Sequence, residues 1–304
     1  MKLRLFALAV FSAALAACSS TTERSSADAS GLLTWRDVRG LPAATPVPQL
    51  QYGPEPRQFG ELRLPPGVPG PFPVLILIPG DCETSDDDGY LRPLAESLAT
   101  LGVATWMIDY RRAADDADWR DSFRDVALAT DHLSSLAQEY PLNLKRVVAA
   151  GHAGGGELAL WLAARKRLRE GDPLYVRKPQ AIHGVIGLAA ITDLEAQRVV
   201  PQSACAQAVE ALTGGAVAEP GRVAALSPIA LLPLGVPQWF VHGAEDAQVP
   251  AGQVMHYAET ARRKGDRVTL GVTSNAGHYE PVVPASATWM TLQQAVIAAL
   301  HDPK

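Results

Sequence analysis

The chain has 304 residues, of which 47% are apolar and 19% charged, and its formal net charge is −5. This apolar content is enough for one large core, and α/β domains of this length often remain single. Because the chain is acidic and has no block of lysine and arginine, we exclude nucleic acid as a partner.

The N-terminus has the pattern of a secretory signal. Lys2 and Arg4 precede a run over residues 5–17 that is apolar except for one serine, and Cys18 follows. A run of this length suits a signal peptide and is too short to span a bilayer. Residues 15–18, Leu-Ala-Ala-Cys, resemble a bacterial lipobox, which implies cleavage before Cys18 and lipidation of that cysteine. The alternative is an ordinary cleaved signal peptide with an unrelated cysteine.

The segment after the lipobox indicates where the chain is held. Ser19 stands where an aspartate would resemble an inner-membrane retention signal, so the resemblance implies the outer membrane of a Gram-negative cell. The following residues are polar and rich in serine and threonine, as is typical of a flexible tether. We expect a signal peptide over residues 1–17, a tether over 18–31 and a folded domain over 32–304. The lipid would anchor this domain in the cell envelope, at the periplasmic face of the outer membrane.

Two further cysteines, Cys82 and Cys205, remain if Cys18 is lipidated. Two thiols can pair in an oxidising envelope compartment, and both residues follow the ends of predicted strands. The sequence does not give the separation of their Cα atoms, so a disulfide and two free thiols both stay open.

Past the tether, residues 50–52 and 61–64 are predicted as a hairpin, and a turn rich in proline and glycine occupies 65–73. Strands and helices then alternate, which predicts a single α/β domain with a doubly wound, mainly parallel sheet. Residues 193–233 have no clean strand and are predicted as a helical excursion over the sheet. The predicted strands are 74–78, 103–108, 147–150, 185–190, 238–242 and 268–272, and the predicted helices are 91–101, 118–139, 154–166, 251–264 and 287–301.

A short motif lies where the strand at 147–150 meets the next helix. Gly151 and Gly155 occupy the glycine positions of a Gly-x-Ser-x-Gly nucleophile elbow, and Ala153 stands at the serine position. A methyl group cannot attack a carbonyl carbon. The simpler alternative is a tight strand-to-helix turn without catalytic ancestry.

Two more candidates follow later strands. Asp246 comes after the strand at 238–242, and His278 comes after the strand at 268–272. Reactive groups of open α/β sheets lie at the carboxyl ends of strands, and the order nucleophile, Asp, His is that of α/β-hydrolases. In such a triad the carboxylate orients the imidazole, which acts as the base. A helix-capping Asp246 and a hydrogen-bonded loop His278 are the structural alternatives.

From about residue 52 onward, the chain resembles α/β-hydrolase-fold esterases of the kynurenine-formamidase-like (BD-FAE) type. The resemblance implies the α/β-hydrolase fold, ester or formamide hydrolysis, and a small acyl-ester or formamide-like ligand. It implies no cofactor and no metal, and His152, His242 and His278 lack the spacing of a zinc site. The residues that carry it are Tyr52-Gly53-Pro54 with Gln58, Asp109-Tyr110-Arg111-Arg112, Gly151-His152-Ala153-Gly154-Gly155, and the segments around Asp246 and His278.

The resemblance also places an oxyanion hole. The family's His-Gly-Gly motif is replaced here by Pro79-Gly80-Asp81-Cys82. The donors would be the backbone N–H groups of Asp81 or Cys82 together with that of Gly154. A carboxylate at Asp81 would repel a developing oxyanion unless it turned towards solvent.

Three functions fit these residues. The first is a lipid-anchored esterase relative that has lost hydrolysis but still binds a small acyl ligand. The second is an active serine esterase whose serine was replaced by Ala153. The third is an envelope lipoprotein that binds small molecules or proteins and has no enzymatic role. Residual hydrolysis by His278 and water is a weaker fourth.

Overall fold

The computed structural model describes residues 31–80, 82, 89–112, 118–214 and 221–301. The predicted signal peptide, Cys18 and the predicted tether up to residue 30 lie outside these ranges. None of the helices in the described ranges combines the length and the apolar character needed to cross a membrane.

One sheet organises the described part of the chain. Its strands are β1 (Gln49–Gln51), β2 (Phe59–Arg63), β3 (Phe72–Ile78), β4 (Ala104–Ile108), β5 (Leu142–His152), β6 (Gly184–Leu188), β7 (Gln238–Gly243) and β8 (Val268–Thr273). They lie in the order β1-β2-β4-β3-β5-β6-β7-β8. The contacts of β2 with β1 and β4 are antiparallel, and the other contacts are parallel. The prediction of a mainly parallel α/β sheet is confirmed.

Helices cover both faces of this sheet. They are α1 (Trp35–Arg39), α2 (Arg92–Ala99), α3 (Trp119–Asp131), α4 (Leu133–Glu139), α5 (Gly154–Ala164), α6 (Leu194–Arg198), α7 (Ala204–Thr213), α8 (Arg222–Leu226), α9 (Ala251–Arg263) and α10 (Trp289–His301). Short 3-10 turns occupy Arg165–Arg167 and Glu280–Val282. Helices α2 and α10 pack with one apolar cluster, whereas α3, α5 and α9 pack with the other.

Strand β3 shows why its sequence is continuously apolar. Val74, Ile76 and Ile78 belong to the cluster that includes α5, and Leu75 and Leu77 belong to the cluster that includes α10. Successive side chains of a strand point to opposite faces, and here both faces are covered by helices. A polar residue at any of these positions would therefore be buried.

Two elements differ from their predictions by more than small shifts at their ends. Strand β5 starts at Leu142 rather than at residue 147, because Leu142 and Asn143 pair with Phe72 and Pro73 ahead of a register shift that spans residues 144–146 of β5. The helix predicted over 118–139 is interrupted at His132, where a tighter turn (ψ −20°) separates α3 from α4.

The excursion between β6 and β7 is helical, as predicted, and it positions α7. Ser203 caps α7 by accepting the N–H of Ala206 at 3.2 Å, and its hydroxyl donates to the carbonyl of Gln248 at 2.8 Å. Gln248 lies in the loop that carries Asp246. The start of α7 is therefore held against the loop that follows β7.

The central strand gives a test of the core. Leu77 is completely buried, so Leu77→Ala should lower the free energy of unfolding by about 2–5 kcal/mol through lost burial and a residual cavity. Urea unfolding followed by circular dichroism measures this change. Leu128→Ala on the exposed side of α3 is the matched control, because 42% of that residue is exposed, and it should change stability little. Equal losses in the two variants would contradict this packing.

Candidate active site

The backbone between β5 and α5 turns sharply at Ala153, which has φ 51° and ψ −116°. Positive φ at a residue other than glycine costs about 1–3 kcal/mol and persists only where the surroundings enforce it. Here the N–H of Ala153 donates to Leu188 O at 3.0 Å, and the carbonyl of Ala153 accepts the N–H groups of Gly156 and Ile191. The residue is fully buried.

The two glycines of the motif allow this turn because they bring β5 and α5 into contact. A β-carbon on Gly151 would lie 2.0 Å from the carbonyl oxygen of Gly155, and one on Gly155 would lie 2.3 Å from that of Ile78. Both obstacles are backbone atoms, which cannot rotate away. The motif therefore has the strand–turn–helix geometry expected of an elbow, and the role of Ala153 as a nucleophile position stays a prediction.

Asp246 and His278 lie together in the folded chain. The Nδ1–H of His278 donates to Asp246 Oδ2 at 2.8 Å, and Asp246 Oδ1 accepts the backbone N–H groups of Gln248 and Val249, each at 2.8 Å. Burial raises the pKa of Asp246, but the charge of His278 and the hydrogen bond from its ring outweigh burial, so the pKa lies below its ordinary value. An ionised Asp246 therefore fixes the orientation of the His278 ring through Nδ1.

A chain of hydrogen bonds connects the loop after β3 to His278. The N–H of Gly80 donates to the Tyr90 hydroxyl, which lies 2.8 Å from Nδ1 of His152, while Nε2 of His152 lies 3.1 Å from the carbonyl oxygen of His278. A carbonyl can only accept, so Nε2 carries the proton and Nδ1 accepts from Tyr90. The rings of His152 and His278 are 4.6 Å apart between centroids. Since His152 directly precedes Ala153, His278 lies beside the elbow.

His152 and His242 make the backbone hydrogen bonds expected of structural histidines. Burial, reinforced by the charge of His278, lowers the pKa of His152 to about 3. His242 donates from Nε2 to Val249 O at 2.8 Å, lies 3.5 Å from Asp246 Oδ2, and has a pKa lowered by burial. Both rings are therefore neutral near pH 7.

The predicted oxyanion donors are only partly described. Asp81 lies outside the described residues. Gly154 is the first residue of α5, so its N–H has no partner within the helix and points from a helix N-terminus. The neighbouring N–H of Gly80 is engaged by Tyr90. The assignment of Asp81, Cys82 and Gly154 as an oxyanion hole stays a prediction.

Cys82 and Cys205 form a disulfide, which settles the pairing that the sequence left open. The bond joins the loop after β3 to the start of α7, and Cys205 Sγ lies 3.9 Å from Nε2 of His278. Neither this contact nor the role of Tyr90 has a sequence signal, because both depend on how distant loops meet.

A small cavity adjoins the elbow. It has a volume of about 20 Å³, roughly the space of one water molecule, and lies next to Gly154 among mainly apolar side chains such as Ile191, Leu194 and Leu212, with the polar Glu157. A ligand the size of an acyl group would fit this cavity only if these side chains moved. In the described ranges, no group of three or more His, Cys, Asp or Glu side chains is placed to hold a metal ion.

Comparisons with known proteins agree with this fold. Residues 61–260 match the BD-FAE family model. Among solved structures, a truncated carbohydrate esterase from gut microbiota is similar at 19% identity with a TM-score of 0.70, covering 83% of this chain and 95% of that one. Esterase B from Lactobacillus rhamnosis, in an inhibited form, is 19% identical with a TM-score of 0.70 and coverage of 84% and 89%.

Thermogutta terrifontis esterase 2, phosphonylated by sarin, is also similar, at 18% identity and a TM-score of 0.69, covering 90% of this chain and 100% of that one. No curated protein matches the chain. At these identities, the solved structures show the α/β-hydrolase fold and not a shared substrate.

The glycine contact can be tested directly. Gly155→Ala should lower the free energy of unfolding by about 3 kcal/mol or prevent folding, because the new methyl overlaps backbone oxygens. The matched control is Gly252→Ala in α9, where a β-carbon meets nothing within 4 Å. That variant should be stabilised by about 0.5–1 kcal/mol. Thermal unfolding of both proteins measures the difference, and a well-folded Gly155→Ala variant would show that the contact is not required.

The low pKa of His152 gives a pH prediction. In the folded protein the pKa of His152 is about 3, whereas its ordinary pKa is 6.5. Between these two pH values the unfolded state therefore binds more protons than the folded state. The free energy of unfolding should therefore fall as the pH drops from 6.5 towards 3, by at most about 1.4 kcal/mol per pH unit from this residue. His152→Asn should flatten this dependence. His256 is exposed, so His256→Asn serves as the control and should keep the wild-type dependence of the free energy of unfolding on pH. An equal dependence in all three proteins would exclude His152 as its source.

Proposed function

The chain belongs to the BD-FAE family and has the α/β-hydrolase fold, and we propose that it is an envelope lipoprotein that does not hydrolyse esters through an acyl-enzyme. The observation that carries the proposal is the buried methyl group of Ala153 at the turn beside the Asp246–His278 pair. An acyl-enzyme requires a bond from a side-chain heteroatom to the acyl carbon, and a methyl group has no lone pair to form it.

Other routes to hydrolysis are weak in this site. Triads without their nucleophile still accelerate hydrolysis about 10³–10⁴-fold over the uncatalysed reaction in water, because the oxyanion hole and substrate binding remain. Here Asp81 stands in the loop that would form the oxyanion hole, and the cavity next to Gly154 has space for about one water molecule. Residual turnover by water at His278 should therefore fall below that level.

The family supports a small ester or formamide-like ligand, which would enter next to Gly154 after Leu194 and Leu212 move. The lipobox-like residues 15–18 support a lipid anchor, and Ser19 supports the periplasmic face of the outer membrane. The chain would then hold its domain at that membrane by a short tether.

A specific observation favours a second candidate, an active serine esterase in which alanine has replaced the serine. The strained turn and the Asp246–His278 hydrogen bond are both present, so a hydroxyl at residue 153 would complete a triad. The two candidates differ in what restoring that hydroxyl does.

Ala153→Ser tests both candidates with short-chain nitrophenyl esters as substrates. We expect the wild-type protein to show no turnover above buffer, whichever candidate holds, because it lacks the nucleophile. The loss of a triad nucleophile costs about 10⁶ in rate, so the second candidate requires Ala153→Ser to raise hydrolysis by several orders of magnitude.

The control is Ala159→Ser, which adds a buried hydroxyl to the same helix away from the turn. An Ala153→Ser protein no more active than this control would exclude the second candidate. Wild-type turnover accompanied by a covalent acyl adduct would contradict the proposal itself.

A further inference from the structure

We propose that a second cavity, at the edge of the sheet opposite the elbow, binds a small anion that carries an apolar group, such as an alkyl carboxylate or an alkyl phosphate. The proposal goes beyond the function proposed above and does not depend on it. The residues that carry it belong neither to the elbow nor to the Asp246–His278 pair.

The cavity lies where strands β6 and β7 begin. Its lining includes His183 and Pro237, which directly precede the first residues of these strands. Strands β5, β6 and β7 are parallel, so they begin at one edge of the sheet and end at the other. The elbow follows the end of β5. The cavity and the elbow are therefore at opposite edges, and α5 runs from one to the other.

The cavity is large enough for a small molecule. Its volume is about 620 Å³, within the range of about 300–1,000 Å³ that is typical of ligand pockets. Leu162, Ile182 and Val236 are among the side chains that line it, and all three are buried. An alkyl chain or an aromatic ring bound against these walls would leave water, which favours binding.

The charged groups of the lining are basic. Arg165, Lys166 and Arg267 contribute to it, whereas the described residues that line it include no aspartate or glutamate. The Nζ of Lys166 would lie 3.9 Å from a β-carbon on Gly235, which places the amine against the wall formed by that loop. Lys166 forms no ion pair with any carboxylate in the described ranges, so its charge is available to a ligand.

The carboxylates beside the lining are already engaged. Asp131 accepts from the guanidinium of Arg165 at 3.1 Å. Asp266 is buried and accepts two backbone N–H groups of the loop over residues 231–237, at 2.7 and 2.8 Å. Both carboxylates therefore have hydrogen-bond donors of their own, and neither one pairs with Lys166.

Two further cations lie on the same loop. The guanidinium of Arg167 donates to the carbonyl groups of Leu231 and Pro233, and the Nζ of Lys264 donates to that of Leu232 at 3.4 Å. Their charges add to that of Lys166. An anion in the cavity is thus favoured over a neutral molecule of the same shape.

Arg165 supplies a donor that the described residues leave unused. Its side chain is only 1% exposed, and its Nε has no hydrogen-bond partner in the described part of the chain, although its terminal nitrogens bind Asp131. Buried donors are almost always paired, and an unpaired one destabilises the fold. Because Arg165 lines the cavity, a bound carboxylate or phosphate is a candidate acceptor for this N–H.

Titration calorimetry of the full chain tests the chemistry of the ligand with three probes. Octanoate has the charge and the apolar group, octanol has only the apolar group, and acetate has only the charge. We expect octanoate to bind more tightly than either of the other two. Its affinity should also fall as the salt concentration rises, because salt screens the attraction between charges.

Lys166→Gln tests the contribution of the cation. Lys166 is exposed, so the variant should fold, and it should bind octanoate about fivefold more weakly, as expected for one solvent-screened charge contact. Its affinity for octanol should not change. Lys145→Gln is the matched control, because Lys145 is also exposed but does not line the cavity, and it should bind octanoate as the wild-type protein does.

A pair of bulky substitutions tests where octanoate binds. Ala181 lines the proposed cavity and is exposed, so Ala181→Phe should occupy the cavity and abolish binding without a change of charge. Ala208 lines the small cavity beside the elbow, so Ala208→Phe is the matched control and should leave octanoate binding intact.

The same ligand chemistry could come from a free amphiphile or from a lipid in a membrane. Flotation with phosphatidylcholine vesicles, with and without phosphatidic acid, separates the two sources. Stronger association with the anionic vesicles that is lost in Lys166→Gln would identify a membrane lipid. Equal association of wild type and Lys166→Gln with both vesicles, together with octanoate binding that depends on Lys166, would identify a free amphiphile.

Three results would overturn the proposal. They are an absence of octanoate binding at millimolar concentrations, equal affinities of Lys166→Gln and Lys145→Gln, and binding that is lost in Ala208→Phe but kept in Ala181→Phe. All these variants retain Ala153, Asp246 and His278. Their outcome is therefore separate from that of the esterase assays, in which Ala153→Ser decides.

Discussion

The contact between Gly151 and Gly155 is the constraint on which the site depends. It joins the end of β5 to the start of α5 with no space for a β-carbon, and the chain must therefore turn at Ala153 with positive φ. The cost of this conformation is met by packing of strand against helix and by four backbone hydrogen bonds at Ala153. The glycine contact and these hydrogen bonds involve backbone atoms, so they do not depend on the methyl group of Ala153.

Much of this arrangement could be predicted from local sequence. Continuous apolar runs such as residues 74–78 indicate strands buried on both faces, and the parallel sheet then brings Asp246 and His278 to the same edge as the elbow. The elbow itself is visible because its steric requirement selects glycine at two fixed positions. These inferences need only periodicity and the rule that functional side chains follow strand ends.

The remaining features depend on contacts between distant loops, which one sequence does not reveal. Tyr90 reaches both Gly80 and His152, although nothing in its neighbourhood marks it as a partner of either. Cys205 meets Cys82 because the capped start of α7 is tied to the loop after β7. The longer β5 likewise follows from the pairing of Leu142 and Asn143 with Phe72 and Pro73, beyond an irregularity formed by residues 144–146 of β5.

The crosslink has a thermodynamic consequence through its separation of 123 residues along the chain. In the chain-entropy picture, closing a loop of this size raises the free energy of the unfolded ensemble by about 5 kcal/mol. Folding and reduction form a closed thermodynamic cycle. Any interaction that stabilises the reduced folded protein therefore lowers the stabilisation by the disulfide by the same free energy. The resistance of this domain to denaturation thus becomes a property of the surrounding redox poise as well as of its amino acids.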